Sequence, residues 1–300
     1  MTQSTNATPV LGIIGGSGLY DLPGLVDTRW VEVDTPWGAP SDAIFRGRLE
    51  TSAGSAELAF LPRHGRGHRI PPSEVNYRAN IAALKSLGVT DTLSLSAVGG
   101  LRADLPPGTF VIVDQFIDRT TQRAGSFFGR GLVAHVSMAD PVCPRLGDHV
   151  ERALKQQGVR HVRGGTYLCM EGPAFSTRAE SNVYRSWGCA VIGMTNHTEA
   201  RLAREAEIAY ATLAMATDYD CWHTDHDSVS VEMVIGNLRS NAELAQQIVR
   251  TTAERIAAQR PASSAHSALR DALMTPKDQV PLETRRKLDL FTAPYWGELT

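Results

Sequence analysis

Met194-Thr195-Asn196 opens a stretch that passes through a helix-like run to Ala209, becomes an apolar strand from Tyr210 to Ala216, and ends in Thr217-Asp218-Tyr219-Asp220-Cys221-Trp222. Side chains two apart on an extended chain point the same way, which predicts that Asp218 and Asp220 share one face at the strand's end. Carboxylates side by side at the mouth of a core raise each other's proton affinity, and desolvation acts in the same direction. One acid held protonated near neutrality would be able to donate that proton in catalysis. The plainer alternative is a pair of solvated loop acids that caps the following segment.

Upstream, other strand ends carry groups suited to anions. Val10 to Ile14 runs into Gly15-Gly16-Ser17-Gly18, a tight turn able to offer backbone amides. No Gly-Lys-Ser/Thr follows, and Leu22-Pro23-Gly24 interrupts the helix that a dinucleotide fingerprint needs, so a simple strand-to-loop turn remains an alternative. Strands over Trp30 to Ser52 and Ala56 to Leu61 deliver Pro62-Arg63-His64-Gly65-Arg66-Gly67-His68. Arginines and histidines among glycines can close on an anion with charge and main-chain donors, or they can form a solvated basic loop. The strand from Asp91 to Ala97 ends in Ser96-Ala97-Val98-Gly99-Gly100, again small residues with a hydroxyl.

The remaining pattern alternates. A helix is expected from Pro71-Pro72-Ser73-Glu74 to about Leu87, capped at Ser73 or a neighbour, and a strand over Phe110 to Ile117. Arg119 to Pro144 has little periodicity and reads as a long functional or contact loop. A helix over Arg145 to Gln157 and a strand over Gly165 to Met170 follow, and Thr177 with Glu180 three on is a capping box for a helix ending near Trp187. Cys189 to Gly193 is the strand that reaches Met194. Alternating strands and helices, with glycine turns at strand carboxyl ends, imply an α/β fold whose site lies at those ends. Residues 10–258 are expected to form one domain, after a disordered N-terminus (1–9) and before a C-terminal extension (259–300) whose role the sequence does not reveal.

Composition narrows the partners. Thirty lysines and arginines against 32 acids, a net charge of -2, argue against a broad nucleic-acid or membrane surface, and 42% hydrophobic content supports a globular core. Cys143, Cys169, Cys189 and Cys221 show no metal or disulfide spacing and read as reduced thiols. His223-Thr224-Asp225-His226-Asp227 lacks an ordered helix to aim its histidines and reads as a solvated loop, so no metal is expected. No signal peptide or membrane span is legible, and a cytoplasmic protein is expected.

Taken together, Gly15-Gly16-Ser17-Gly18, Pro62-Arg63-His64-Gly65, Met170-Glu171-Gly172-Pro173 with Phe175-Ser176-Thr177-Arg178-Ala179-Glu180, Gly193-Met194-Thr195 and Thr217-Asp218-Tyr219-Asp220-Cys221-Trp222 resemble the 5'-methylthioadenosine phosphorylases of the trimeric purine nucleoside phosphorylase family. The resemblance covers about Val10 to Ala242. It implies a single-domain nucleoside phosphorylase fold, with a central mixed β-sheet partly closed into a barrel and flanked by helices. It also implies a homotrimer with sites near subunit interfaces, acting on a nucleoside and inorganic phosphate in purine and methionine salvage, with phosphate a co-substrate and no cofactor. By similarity, Ser17, Arg63, His64, Ser96, Ala97 and Thr195 would hold phosphate. Met194 would lie under the ribose, Phe175 and Ser176 would border the purine, and Asp218 and Asp220 would reach its N7 and exocyclic amine. Val231, Val234 and Ile235 would line a 5'-methylthio pocket closed by His135 of an adjacent subunit, although helical spacing reads part of that set as ordinary core.

Breaking a purine N-glycosidic bond leaves an anionic base and a cationic sugar, so a proton donor at the base and an anion at the anomeric carbon are both needed. Ser17 stands where the family commonly has threonine, and Asn196-His197-Thr198 replaces a stretch that usually carries proline before Glu199. A 6-oxopurine nucleoside phosphorylase is the nearest alternative, but it would be expected to carry asparagine in place of Asp218. A dinucleotide-binding protein leaves the arginine loop and the acid pair unexplained, and a non-catalytic nucleoside-binding module differs from an enzyme only in turnover.

Overall fold

The computed structural model describes residues 8–16, 19–223, 236 and 242–299. Among them are eleven strands: β1 (Val10–Gly15), β2 (Leu25–Val31), β3 (Ile44–Thr51), β4 (Gly54–Pro62), β5 (Asp91–Gly100), β6 (Phe110–Ile112), β7 (Gln115–Arg119), β8 (His161–Arg163), β9 (Thr166–Met170), β10 (Val191–Gly193) and β11 (Ala209–Asp218). The helices are α1 (Tyr77–Ser86), α2 (Pro144–Gln156), α3 (Arg178–Ser186), α4 (Asn196–Glu205), α5 (Ala242–Ala258) and α6 (Leu282–Trp296).

All eleven strands join one mixed sheet that branches at β5. The path β2-β3-β4-β1-β5-β10-β9-β7 is joined at β5 by β11, which continues to β6 and β8. The hydrogen-bonded pairings form no closed ring among the described residues, which a partly closed barrel does not require. Strands β4, β1, β5 and β11 are mutually parallel, so Pro62, Gly15, the end of β5 and Asp218 emerge on one edge. Strand β10 runs antiparallel to β5, with Ile192 opposite Gly99. Its continuation to Thr195 therefore runs back past Ala97 and Ser96.

The central strands are apolar on both faces because helices cover both. Leu11, Ile13, Leu93 and Leu213 pack with Leu146 and Val150 of α2 and with Ile248 and Ile256 of α5. Ile14, Leu61 and Tyr210, on the alternate positions, pack with Ile81 and Leu84 of α1 and Leu202 of α4. Each fully buried Leu or Ile contributes about 1.5–3 kcal/mol, so these two layers fix the strand order on which the site depends.

The C-terminal segment enters the second layer. Leu269, Val280, Leu288 and Phe291 are buried there, and Glu207 accepts from Leu269 N at 2.9 Å and from the Tyr295 hydroxyl. Two local expectations differ from what forms. Helix α1 starts at Tyr77 with Asn76 as cap, its side chain accepting from Ala79 N at 3.2 Å, because Pro71 to Glu74 closes a turn of its own. The apolar run Phe110 to Ile117 divides into β6 and β7 because the chain changes neighbours, from β11 and β8 to β9.

Candidate active site

Arg63 follows directly on β4, where its backbone N–H reaches Gly15 O at 3.0 Å and joins two strand ends. Its side chain is only 5% exposed and turns inward. Nε donates to Glu199 Oε1 at 2.5 Å, Nη2 to Glu199 Oε2 at 3.2 Å and Ser94 Oγ at 2.6 Å, and Nη1 to Leu95 O at 3.1 Å. A guanidinium has five N–H donors, so one Nη1 hydrogen remains for an incoming group. Glu199 Oε2 also accepts from Ser94 Oγ at 2.7 Å and Tyr210 Oη at 2.9 Å, which satisfies the carboxylate of a side chain only 3% exposed. Asn196, fully buried at the start of α4, donates to Ser94 Oγ and Tyr210 Oη, both at 2.8 Å.

An anion arriving at this edge meets a neutralised ion pair rather than a bare cation. The favourable field comes from elsewhere. Thr195 caps α4 without spending its side chain on a cap bond, so the positive end of the helix dipole lies where the chain leaves β10. Tyr167, fully buried, turns its hydroxyl toward Ser96 and the Thr195 backbone without closing a hydrogen bond of good geometry to either. Gly193 makes room for it, since a Cβ there would lie 1.9 Å from the Tyr167 oxygen. His64 Nδ1 lies 2.8 Å from Ile70 O, so that nitrogen carries the proton and Nε2 is left as an acceptor in the neutral ring. Burial, with Arg63 beside it, pushes this imidazole down to about 4.

The acid pair lies at the end of β11. Asp218 and Asp220 are buried, and the route that joins them is not the simple alternation of a strand. A register shift falls between Ala216 and Asp218, and Asp220 adopts φ 51°, where its N–H donates to Asp218 Oδ1 at 2.7 Å. The other Asp218 oxygen accepts from Thr217 Oγ1 at 2.7 Å. Both acids crowd β5: a Cβ on Gly99 would lie 3.1 Å from Asp218 Oδ1 and 3.1 Å from Asp220 Cβ, so glycine there lets the strand and the carboxyls meet. Burial pushes the Asp218 carboxyl above the ordinary range despite these two hydrogen bonds, and the charge of Asp220 adds to the rise. Burial raises Asp220 as well.

Around the pair, Cys221 Sγ donates to Ser176 O at 3.2 Å. Trp222 Nε1 donates to Gly100 O at 2.8 Å and lies under the Arg185 guanidinium, closing the turn. The capping box is present, with Thr177 and Glu180 bonded reciprocally at the start of α3. Phe175 is 42% exposed beside this start, an apolar ring open to a ligand. Met194 lies against Gly172, whose φ of 69° leaves no place for a Cβ beside the Met194 sulfur. Ser17, Val231, Val234 and Ile235 lie outside the described residues. His135 is exposed, and its backbone N–H donates to Ala272 O at 2.9 Å.

The edge thus carries the Arg63–Glu199 cluster at one end and a buried acid pair at the other. The family model described as Phosphorylase superfamily matches residues 10–254. This chain belongs to the phosphorylase superfamily. Among curated members, the S-methyl-5'-thioadenosine phosphorylase of Rhodospirillum rubrum is 59% identical over 283 residues, 93% of this chain and 95% of its own. That of Geobacter sulfurreducens is 55% identical over 287 residues, 95% and 99% of the two chains. A solved methylthioadenosine phosphorylase from an antarctic soil metagenomic library superposes with a TM-score of 0.89 at 50% identity, covering 95% of this chain and 99% of that one. The nucleoside phosphorylase fold with its mixed sheet and flanking helices is therefore the fold of this chain.

Within this superfamily member, Glu199 and the pair Arg123–Glu171 are site-forming residues that the sequence reading did not assign. Glu199 carried a signal only as a fixed neighbour in the motif. Arg123 lay inside the aperiodic loop, and nothing local marked its partner 48 residues away. No His/Cys/Asp/Glu group suited to a metal occurs among the described residues, and no helix among them is long and apolar enough to cross a membrane.

Proposed function

We propose that this chain catalyses phosphorolysis of 5'-methylthioadenosine to adenine and 5-methylthioribose 1-phosphate. The observation that carries the reading is the buried Asp218–Asp220 pair against Gly99, where desolvation raises the proton affinity of Asp218 above the ordinary carboxyl range. Several relatives with more than half of their residues identical bear the corresponding name.

The C1'–N9 bond breaks as a phosphate oxygen bonds to C1', and Asp218 places its proton on N7 so that adenine departs neutral. Asp220 accepts from the exocyclic amine. Phosphate is held by Ser96, Ala97 and Thr195 near the start of α4, with the remaining Nη1 hydrogen of Arg63, and the family resemblance adds Ser17, which lies outside the described residues. Neutral His64 offers Nε2 as an acceptor to a protonated phosphate oxygen. Much of the rate comes from holding phosphate and sugar in line. Every atom and charge in this step is supplied by the two substrates and the side chains, so no metal or organic cofactor is required.

Met194 lies under the ribose, and Phe175 with Ser176 borders the purine. The family resemblance assigns the 5' pocket to Val231, Val234 and Ile235, which lie outside the described residues. A homotrimer would bring exposed His135 of one subunit to the pocket of the next, and the setting is cytoplasmic salvage of purine and methionine. Aspartate at 218 disfavours the 6-oxopurine alternative. Incubation with methylthioadenosine, with and without phosphate, tests the reading: adenine should appear only with phosphate. Release of adenine without phosphate would make the protein a hydrolase, and no release in either case would remove the assignment.

A further inference from the structure

Arg123 is buried to 2% side-chain exposure inside the long loop that follows β7. All five of its N–H donors find partners: Nε donates to Glu171 Oε1 at 2.9 Å, Nη1 to Tyr77 Oη at 3.1 Å and to Met194 O, and Nη2 to Glu171 O at 2.7 Å and Met170 O at 3.5 Å. These partners belong to three separate segments, at the start of α1, the end of β9 and the link from β10 to α4. Glu171 completes the clamp, its Oε2 accepting from Thr121 N at 2.5 Å and Gln122 N at 3.0 Å. Burial works to raise this carboxyl, but the two amides and Arg123 outweigh it and hold the group below its ordinary range.

We propose that Arg123, anchored by Glu171, is a positioning residue that holds the nucleoside-binding wall in place. Met194 is gripped twice, by Arg123 through its backbone oxygen and by Gly172 against its side chain. Gly172 follows the anchor residue directly, and Phe175 and Ser176 come just after it. One planar fork therefore sets the distance between the ribose floor and the purine edge. Its bonds do not go to Ser96, Ala97 or Arg63, and it meets Thr195 only through the shared Met194 peptide, so the clamp should act on the nucleoside far more than on phosphate. Lysine cannot replace it, since a single ammonium on a flexible stem cannot span all three segments.

The inference rests on the proposed nucleoside phosphorolysis, and steady-state kinetics separates the two. Wild-type turnover of methylthioadenosine with phosphate tests that function. Given turnover, Arg123→Lys should raise KM for methylthioadenosine by about tenfold or more while KM for phosphate changes less than about twofold. Glu171→Gln, which keeps the shape of the anchor without its charge, should move the same KM in the same direction by a smaller factor and serves if Arg123→Lys does not fold. In Arg123→Ala, guanidinium ion at non-denaturing concentration should restore part of the nucleoside affinity, which a general loss of folding would not allow. Equal changes in both KM values, or no change in either, in a folded variant would overturn the proposal while leaving the function intact.

Discussion

Two arginine–glutamate pairs with buried guanidinium groups lie at the two ends of the candidate site, and they are built differently. Arg63 and Glu199 face each other across elements of regular structure, with side-chain exposures of 5% and 3%, and hydroxyls of Ser94 and Tyr210 complete the carboxylate's shell. Arg123 and Glu171 join a loop to strand ends, the carboxylate is 21% exposed, and most partners are backbone groups. The first pair is part of the core, and removing one partner strands a charge where water cannot reach it. The second is a fastener, and water can take over part of its work. Similar chemistry is thus built into the core in the first pair and into a loop fastening in the second.

The largest expected effect falls on the chemistry between the two. Asp218→Asn should lower methylthioadenosine cleavage by about 10²- to 10⁴-fold, with 6-oxopurine nucleosides suffering less. KM for phosphate should hold steady. A folded variant that cleaves methylthioadenosine at near-normal rate and keeps its preference for adenine would mean that the base is read elsewhere.

Next come the pairs themselves. Glu199→Ala should cost about 3–5 kcal/mol of stability by leaving Arg63 buried and unpaired, against about 1–3 kcal/mol for Glu171→Ala. Urea titration of both variants measures the difference, and equal costs would erase the distinction between core pair and fastener. Arg63→Ala should raise the phosphate requirement far more than it weakens nucleoside binding, because it removes a donor and leaves the Glu199 carboxylate without its counter-charge. Equal effects on both substrates would place Arg63 outside the phosphate end.

The smallest effect is a shift of pH profile. Asp218 is raised first by burial and then by the neighbouring Asp220 charge. Neutralising that charge in Asp220→Asn should let Asp218 release its proton more readily, so the alkaline limb of kcat should move to lower pH. A limb that stays put or moves upward would show that another group carries the proton. The corresponding phosphate KM profile should be little affected if the two ends are separately held.

Much of the scaffold was readable where the controlling contacts are local. Thr177 and Glu180 sit three apart and form the capping box that the sequence announces, because all its atoms lie within one helical turn. The strand β11 was likewise legible, because burial on both faces demands a continuous apolar run. The cap of α1 was misplaced by three residues, since Ser73 and Asn76 are both good caps and the choice fell to Asn76, which also donates to Trp37 O at 2.8 Å across the fold.

By itself the sequence determined the α/β class, the strand ends that carry small and polar residues, and the acid types at 218 and 220. Those properties follow from spacing along one chain segment. Only the tertiary structure decided how the acids meet, because the register shift after Ala216 and the turn at Asp220 depend on pairing with β5, where Gly99 leaves the room. Only the tertiary structure decided that Arg63 commits two of its five donors to Glu199, 136 residues away, and that Arg123 bonds Glu171 and the Met194 backbone. A buried charge must find its partner in space, and the free energy that selects the partner comes from desolvation, which exists only once the sheet and helices have closed around it.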